Sequence, residues 1–427
     1  MLLLSSLLAG CKASIEVLQP DVVDAAMPDA GKGPIDAPDL PDGPLPSSDA
    51  TCGGCAAGQL CSAGSCVERR GLTMVEAGRV HTCLIADGRL FCWGANEHGE
   101  LGLGDVDGRQ GISRVGAAND WLAVSGGEEH SCGLRAPGRL FCWGDNSKGQ
   151  LGVGDTERRP SPTPVGAGDD WEAIFCGGDN CCALRDAGRL YCWGDNLEGK
   201  PGQDDGYSEP DVLEPREVVG DRRYRVVALG QGHVNAITEA GELLGWGRTP
   251  QGETGTGVVL GHLRAPMAVA VAADSRWVSV AAAQHHSCAV DEDGGLYCWG
   301  MSDFGELGGG VVDDVSVVAT PARVGSDSDW AAVAAGWFHS CATKRDGRLH
   351  CWGRAIEGQL GQGGGDPVPQ PNLVMPELGW KPPVLGGFHS CALTGDGALY
   401  CWGQNNQGQL GLSGVDRVHE PTEVVIP

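Results

Sequence analysis

The sequence predicts an all-β, seven-bladed propeller, and three observations lead there. A Trp-Gly pair returns at Trp93, Trp143, Trp193, Trp246, Trp299, Trp352 and Trp402, at intervals of 50, 50, 53, 53, 53 and 50 residues. Within each interval, short apolar runs alternate with Gly, Asp-Gly and Pro, which reads as strands joined by tight turns. Sustained helical periodicity is missing, and about 50 residues hold four strands with their turns, the size of one blade.

A copy runs W-x-A-V-A-A-G-x-x-H-S-C-A-L-x-x-D-G-x-L-Y-C-W-G-x-N-x-x-G-Q-L-G-x-G, then a Pro-containing stretch ending in Val. The first copy begins at Leu72 with no such stretch before it. The last is followed by Glu420-Pro421-Thr422-Glu423-Val424-Val425 with no copy after it. The expectation is that this C-terminal strand closes the first blade, so that no sheet edge stays open.

The run GWFHSCATKRDGRLHCWGRAIEGQLGQ at 336–362, and its near copy at 386–412, resemble the repeat of the regulator of chromosome condensation family. The likeness covers residues 67–427 and implies the same seven-bladed propeller. It also implies two kinds of activity. One is guanine-nucleotide exchange on a small GTPase; the other is protein binding, including inhibition of β-lactamases by a secreted bacterial member.

The N-terminus, MLLLSSLLAGCKAS, resembles the signal and lipobox of bacterial lipoproteins. Residues 1–10 would be the signal peptide and Cys11 the lipidated residue. No charged residue precedes Lys12, which departs from the basic start such signals carry. Residues 11–51, rich in Asp, Pro and Ala and free of aromatics, read as a disordered tether. The expected location is the bacterial cell envelope, with the membrane reached by the lipid anchor alone. No other stretch approaches the ~18 apolar residues of a membrane span. The net charge of −26 argues against nucleic acid, because phosphate binding requires a Lys/Arg surface.

Nineteen cysteines in an exported chain point to disulfides. Six copies carry a hairpin pair: Cys83/Cys92, Cys132/Cys142, Cys182/Cys192, Cys288/Cys298, Cys341/Cys351 and Cys391/Cys401. The fourth copy has Asn235 and Gly245 there, losing both members together. A turn centred on Asp396 sets Cys391 opposite Cys401 and Leu393 opposite Leu399, at a Cα separation a disulfide accepts. In the first copy a two-residue Asp87-Gly88 turn keeps Cys83 opposite Cys92. Cys176 and Cys181 are expected to pair in blade three. Cys52, Cys55, Cys61 and Cys66 form a small module over 52–66, read as two disulfides with a tetrahedral zinc site as the rival.

His81, His130, His233, His286, His339 and His389 recur once per copy, with Asn180 in the third. They follow a Gly-x-x turn and are read as hydrogen-bonding to a neighbouring backbone carbonyl, not as a metal ring. Trp121, Trp171, Tyr224, Trp277, Trp330 and Trp380, with Leu72 in the first copy, share one phase and read as packing between blades. Trp337 stands outside both tryptophan series and is a contact candidate. Asp-Gly pairs are turn chemistry, and GDVDG at 104–108 and DEDGG at 291–295 lack a full calcium-ligand series.

No catalytic motif is found, and no cofactor is expected. Binding residues are sought where copies differ, in the loops at 196–211, 301–320 and 354–373. In the first of these Lys200, Asp204, Asp205, Tyr207 and Glu209 are the candidates. The reading is a monomeric, non-enzymatic scaffold that binds a protein through its loops, with inhibitor and adaptor as the roles in view. The alternatives are a nucleotide-exchange regulator and a glycan-binding or glycan-active propeller. Repeat intervals differ by no more than three residues, so no inserted wedge loop for exchange is visible.

Overall fold

The computed structural model describes residues 59–62, 65–68, 71–203, 210–259, 261–268, 275–311 and 317–427. Cys11, most of the N-terminal segment, Cys52, Cys55, Asp204, Asp205, Tyr207 and Glu209 lie outside the described residues. Gln59–Ser62 and Ser65–Glu68 form a two-stranded hairpin with Cys61 and Cys66 in register.

Seven four-stranded antiparallel sheets follow, each in simple chain order. Blade one consists of Leu72–Ala77, His81–Ala86, Arg89–Gly94 and Arg109–Arg114. The first strand of every blade lines a central channel of about 380 Å³. The second and third strands are the buried ones, as in His286–Asp291, and the fourth forms the rim of the disc. That outer strand tolerates proline, as in Arg159–Pro164 (RPSPTP), because an edge strand need not donate every N–H. The predicted hairpin registers are present: Cys391 faces Cys401 and Leu393 faces Leu399. Asp87 and Gly88 adopt φ of 48° and 72°, the left-handed pair that a two-residue hairpin turn requires.

Ring closure differs from the expectation. The C-terminal strand, Arg417–Val424, pairs with Leu399–Gln404 inside blade seven, and blade one is complete without it. Each Pro-to-Val stretch follows its own Trp-Gly and folds back on the same sheet. It therefore never lies between two blades.

Closure comes instead from side chains that cross every blade boundary. Among the described residues there are seven apolar clusters, one at each boundary. Trp121 of blade two, for example, packs on Cys83, Ile85 and Leu90 of blade one. The phased aromatics all sit in such places, and Trp121 meets Trp143 edge-on at 5.8 Å.

Above the apolar layer runs a repeated hydrogen-bond latch. The Ser131 hydroxyl donates to Glu100 O at 2.9 Å and so accepts from Nε2–H of His81, also at 2.9 Å. The Trp143 indole donates to the same Glu100 carbonyl at 2.9 Å. The last boundary uses the same parts: His389 meets Thr82 at 3.0 Å, and Thr82 and Trp93 both donate to Gln409 O. The partner of five of the six histidines is thus a hydroxyl of the next blade, and that of His130 is the Cys181 sulfur, not the backbone carbonyl anticipated. The Ser or Thr that follows five of the six histidines, all but His233, is placed there by the strand register.

Seven disulfides lie among the described residues. Six are the hairpin pairs, Cys83–Cys92, Cys132–Cys142, Cys182–Cys192, Cys288–Cys298, Cys341–Cys351 and Cys391–Cys401. The seventh is Cys176–Cys181. In blades five and six the third-strand partners, Cys298 and Cys351, face Cys288 and Cys341 across the hairpin and are wholly buried. Every hairpin cysteine is shut into the blade in this way, so these positions are structural and none belongs to a contact surface.

Candidate interaction face

The latch fixes the geometry of one channel mouth. Each first strand turns into the second through Gly-x-x-His, with Ala283 in place of the glycine in blade five and Asn180 in place of the histidine in blade three. In the other blades the imidazole packs where a glycine Cβ would stand. A Cβ on Gly78 would fall 2.1 Å from His81 Cε1, and one on Gly386 would fall 2.1 Å from His389 Cε1. The two residues between are left free to vary. They are Arg79-Val80, Glu128-Glu129, Gly178-Asp179, Gln231-Gly232, Gln284-His285, Trp337-Phe338 and Gly387-Phe388. Backbone bonds join neighbouring turns, Gly387 N–H to Arg79 O at 2.9 Å and Glu128 N–H to Gly178 O at 3.0 Å. A rigid rim therefore carries seven different dipeptides.

Their chemistry separates into two poles. At blades six and seven, Trp337, Phe338 and Phe388 cluster, Trp337 edge-on to Phe388 at 5.8 Å and Phe338 stacked on it at 5.7 Å. Phe304 extends the group, and the Arg354 guanidinium covers Phe304 at 5.0 Å. At blades two and three, Glu128, Glu129 and Asp179 meet Asp145 and Asp195 from the Trp-Gly-Asp-Asn loops. Burial raises the Glu128 carboxyl above its usual range, and the Asp179 charge raises it further. Asp179 is raised likewise, by burial first and by its acidic neighbours, against the pull of Lys200. Arg79 joins the poles: it binds Glu129 at 2.6 Å and lies over the Trp337 ring at 5.5 Å.

The sequence candidates fare unequally. Trp337 is half-buried on this rim. Lys200 is only 3% exposed, and its ammonium donates to Gln231 O of blade four at 2.8 Å and pairs with Asp195 at 3.2 Å. It is a pin between blades, unavailable as a contact. Phe338, Phe388, Glu128, Glu129 and Asp179 were missed. Their signal was present as the only freely varying pair inside an otherwise repeated Gly-x-x-His turn.

Two groups of ligand-type side chains also occur among the described residues. In one, His98 turns Nε2 to Glu129 at 3.2 Å and Nδ1 toward Asp145 at 3.7 Å. One imidazole facing two carboxylates with opposite nitrogens suits hydrogen bonding better than a shared ion. In the other, His130, Cys176 and Cys181, the two sulfurs are bonded to each other.

These features define a closed seven-bladed propeller of latched repeats with a two-sided rim. The Regulator of chromosome condensation (RCC1) repeat matches at 87–134, 137–184, 293–343 and 346–393. A second form of that repeat matches at 121–150, 171–200, 277–306, 330–359 and 384–409. Together these cover more than half of the chain, which belongs to this family. It is 36% identical over 141 residues to the Ultraviolet-B receptor UVR8 of Arabidopsis thaliana, covering 33% of this chain and 32% of that protein. It is 31% identical over 149 residues to the Secretion-regulating guanine nucleotide exchange factor of Bos taurus, covering 33% and 32%. The chain spans about a third or less of the length of the first curated relatives it matches. Among solved structures, human WBSCR16 superposes with a TM-score of 0.70 at 23% identity, over 79% of this chain and 94% of that one. Prp20p of Saccharomyces cerevisiae gives 0.68 at 22%, over 84% and 88%. At these identities the likeness speaks for the fold alone.

Proposed function

We propose that this propeller is a non-enzymatic protein-binding module, held at a bacterial cell envelope through Cys11, that presents its Gly-x-x-His rim to one partner. The observation that carries the reading is the contrast within each turn. The glycine (Ala283 in blade five) and the histidine (Asn180 in blade three) are tied to the scaffold, while the pair between them differs in every blade and forms an aromatic pole beside an acidic one. Half-buried aromatics next to charges are the composition of binding hot spots. A partner with an apolar anchor flanked by basic residues complements this rim.

The test is affinity capture of solubilised envelope proteins on the oxidised full chain, with Trp337→Ala and Asp179→Asn as variants. One saturable partner, lost in both variants while the fold is kept, supports the reading; retention by both overturns it. Nucleotide exchange on a small GTPase is the second reading, favoured by the exchange-factor name of a relative. A cytosolic location in cell fractionation would favour it and remove the envelope reading.

A further inference from the structure

Blade three departs from its neighbours at the latch. The hydroxyl position that accepts from His130 is occupied by Cys181, with Nε2 and Sγ 3.1 Å apart. Cys181 is bonded to Cys176, a disulfide at a position no other blade uses. Cys176 lies on the channel wall and is partly exposed, whereas every other disulfide cysteine among the described residues is at most 2% exposed. The buried end of the same bond points at a second disulfide: Cys181 Sγ lies 3.4 Å from Cys132 Sγ, which is bonded to Cys142 in blade two.

We propose that Cys176–Cys181 is a thiol–disulfide exchange site, open to a small dithiol through the channel, from which a disulfide is handed across the blade boundary to Cys132. A dithiol's thiolate attacks Cys176 Sγ and expels Cys181 as a thiolate, next to the His130 N–H. The reductant's second thiol then closes its own disulfide and frees Cys176 as a thiol. The Cys181 thiolate attacks Cys132 Sγ, and Cys142 leaves as a thiolate that takes a proton from water. One bond, Cys132–Cys181, replaces two; thiols appear at Cys176 and Cys142, and the dithiol is oxidised. Attack follows access and sulfur contact, and among the described residues only this pair has both. The product staples blade two to blade three, at the boundary where sulfur has replaced the hydroxyl latch.

Two measurements on the oxidised full chain decide this. In Cys176→Ser, alkylation and peptide mapping should find the free thiol at Cys142 and a Cys132–Cys181 cross-linked peptide. A free thiol remaining on Cys181, or appearing on Cys192, overturns the proposal. In the wild type, graded dithiothreitol with acid quench should label Cys176 about tenfold faster than Cys288 or Cys341. Equal rates overturn it even if the serine variant fails to fold. Cys181→Ser, which restores the hydroxyl latch, should leave Cys132–Cys142 intact.

Discussion

The boundary between blades five and six and that between blades three and four solve one problem with different parts. At the first, His286 meets Ser340 at 2.8 Å, and Ser340 and Trp352 both donate to Glu306 O. At the second, Asn180 turns back to Trp193 O and Asp195 O of its own blade, and Val234 stands where a hydroxyl is needed. The Trp246 indole still donates to the equivalent carbonyl, that of Lys200. The missing crossing is made by the Lys200 ammonium on Gln231 O. What the ring requires is a polar crossing at each boundary, and the residue type is secondary.

The largest expected effect exploits the one boundary without an imidazole. Burial lowers His81, His286 and His339 to about 3 and His130 and His389 to about 4, with His233 well below its usual value. These folded values lie below the unfolded one, so unfolding takes up protons. The stabilising contribution is complete above about pH 6.5 and is lost as pH falls from there toward 3–4. Each ring costs up to about 1.4 kcal/mol per pH unit in that window, so acid should unfold the propeller steeply despite its disulfides. His339→Asn, which copies the third blade, should be less stable at pH 7 by about 1–3 kcal/mol. That deficit should shrink as urea titrations move to pH 6 and 5. A deficit independent of pH would show that the imidazole is not the acid-sensitive part.

Next in size is the substitute pin. Lys200→Met keeps the length and removes the ammonium, leaving Gln231 O and the Asp195 carboxylate without it. The expected loss is about 1–3 kcal/mol in the urea midpoint. Adding Asn180→His with Val234→Ser should recover most of it by building the regular latch, for which Gly177 leaves the turn open. A neutral Lys200→Met would mean that packing alone holds this boundary.

The repeat made most of the fold legible. Opposed cysteines and Asp-Gly turns set the hairpin registers, and the phase of Trp121 and its equivalents placed them between blades. Closure was misread because a Pro-to-Val strand has no local mark of which third strand it will pair with. Cys92 facing Ser113 within blade one is decided by the intervening loop, which reaches the next blade and returns. The site was less legible for a related reason. Lys200 looked like an exposed loop cation, yet its burial depends on Gln231, 31 residues away. Trp337 was recognised because it broke a series; Phe338, Phe388 and Asp179 gained meaning only when seven turns were set side by side around one channel.

The smallest expected effect concerns the blade without a hairpin disulfide. Asn235 and Gly245 face each other in the register that elsewhere carries bonded cysteines, so the pairing alone would allow a bridge. A Cβ on Gly245, however, would lie 2.2 Å from Thr254 O. Thr254 follows Glu253 where every other blade but the third, with Lys200-Pro201, places Leu after Gln or Glu, and its backbone closes over the strand. Asn235 is also in use, its amide donating to Ser287 Oγ at 2.9 Å and so feeding the next latch. Asn235→Cys with Gly245→Cys should therefore bring no gain, where a bridge of that loop length elsewhere contributes roughly 2–3 kcal/mol. Thermal unfolding under oxidising and reducing conditions separates the cases. A rise in stability on oxidation of the variant would mean that blade four lost its cysteines without a steric cause.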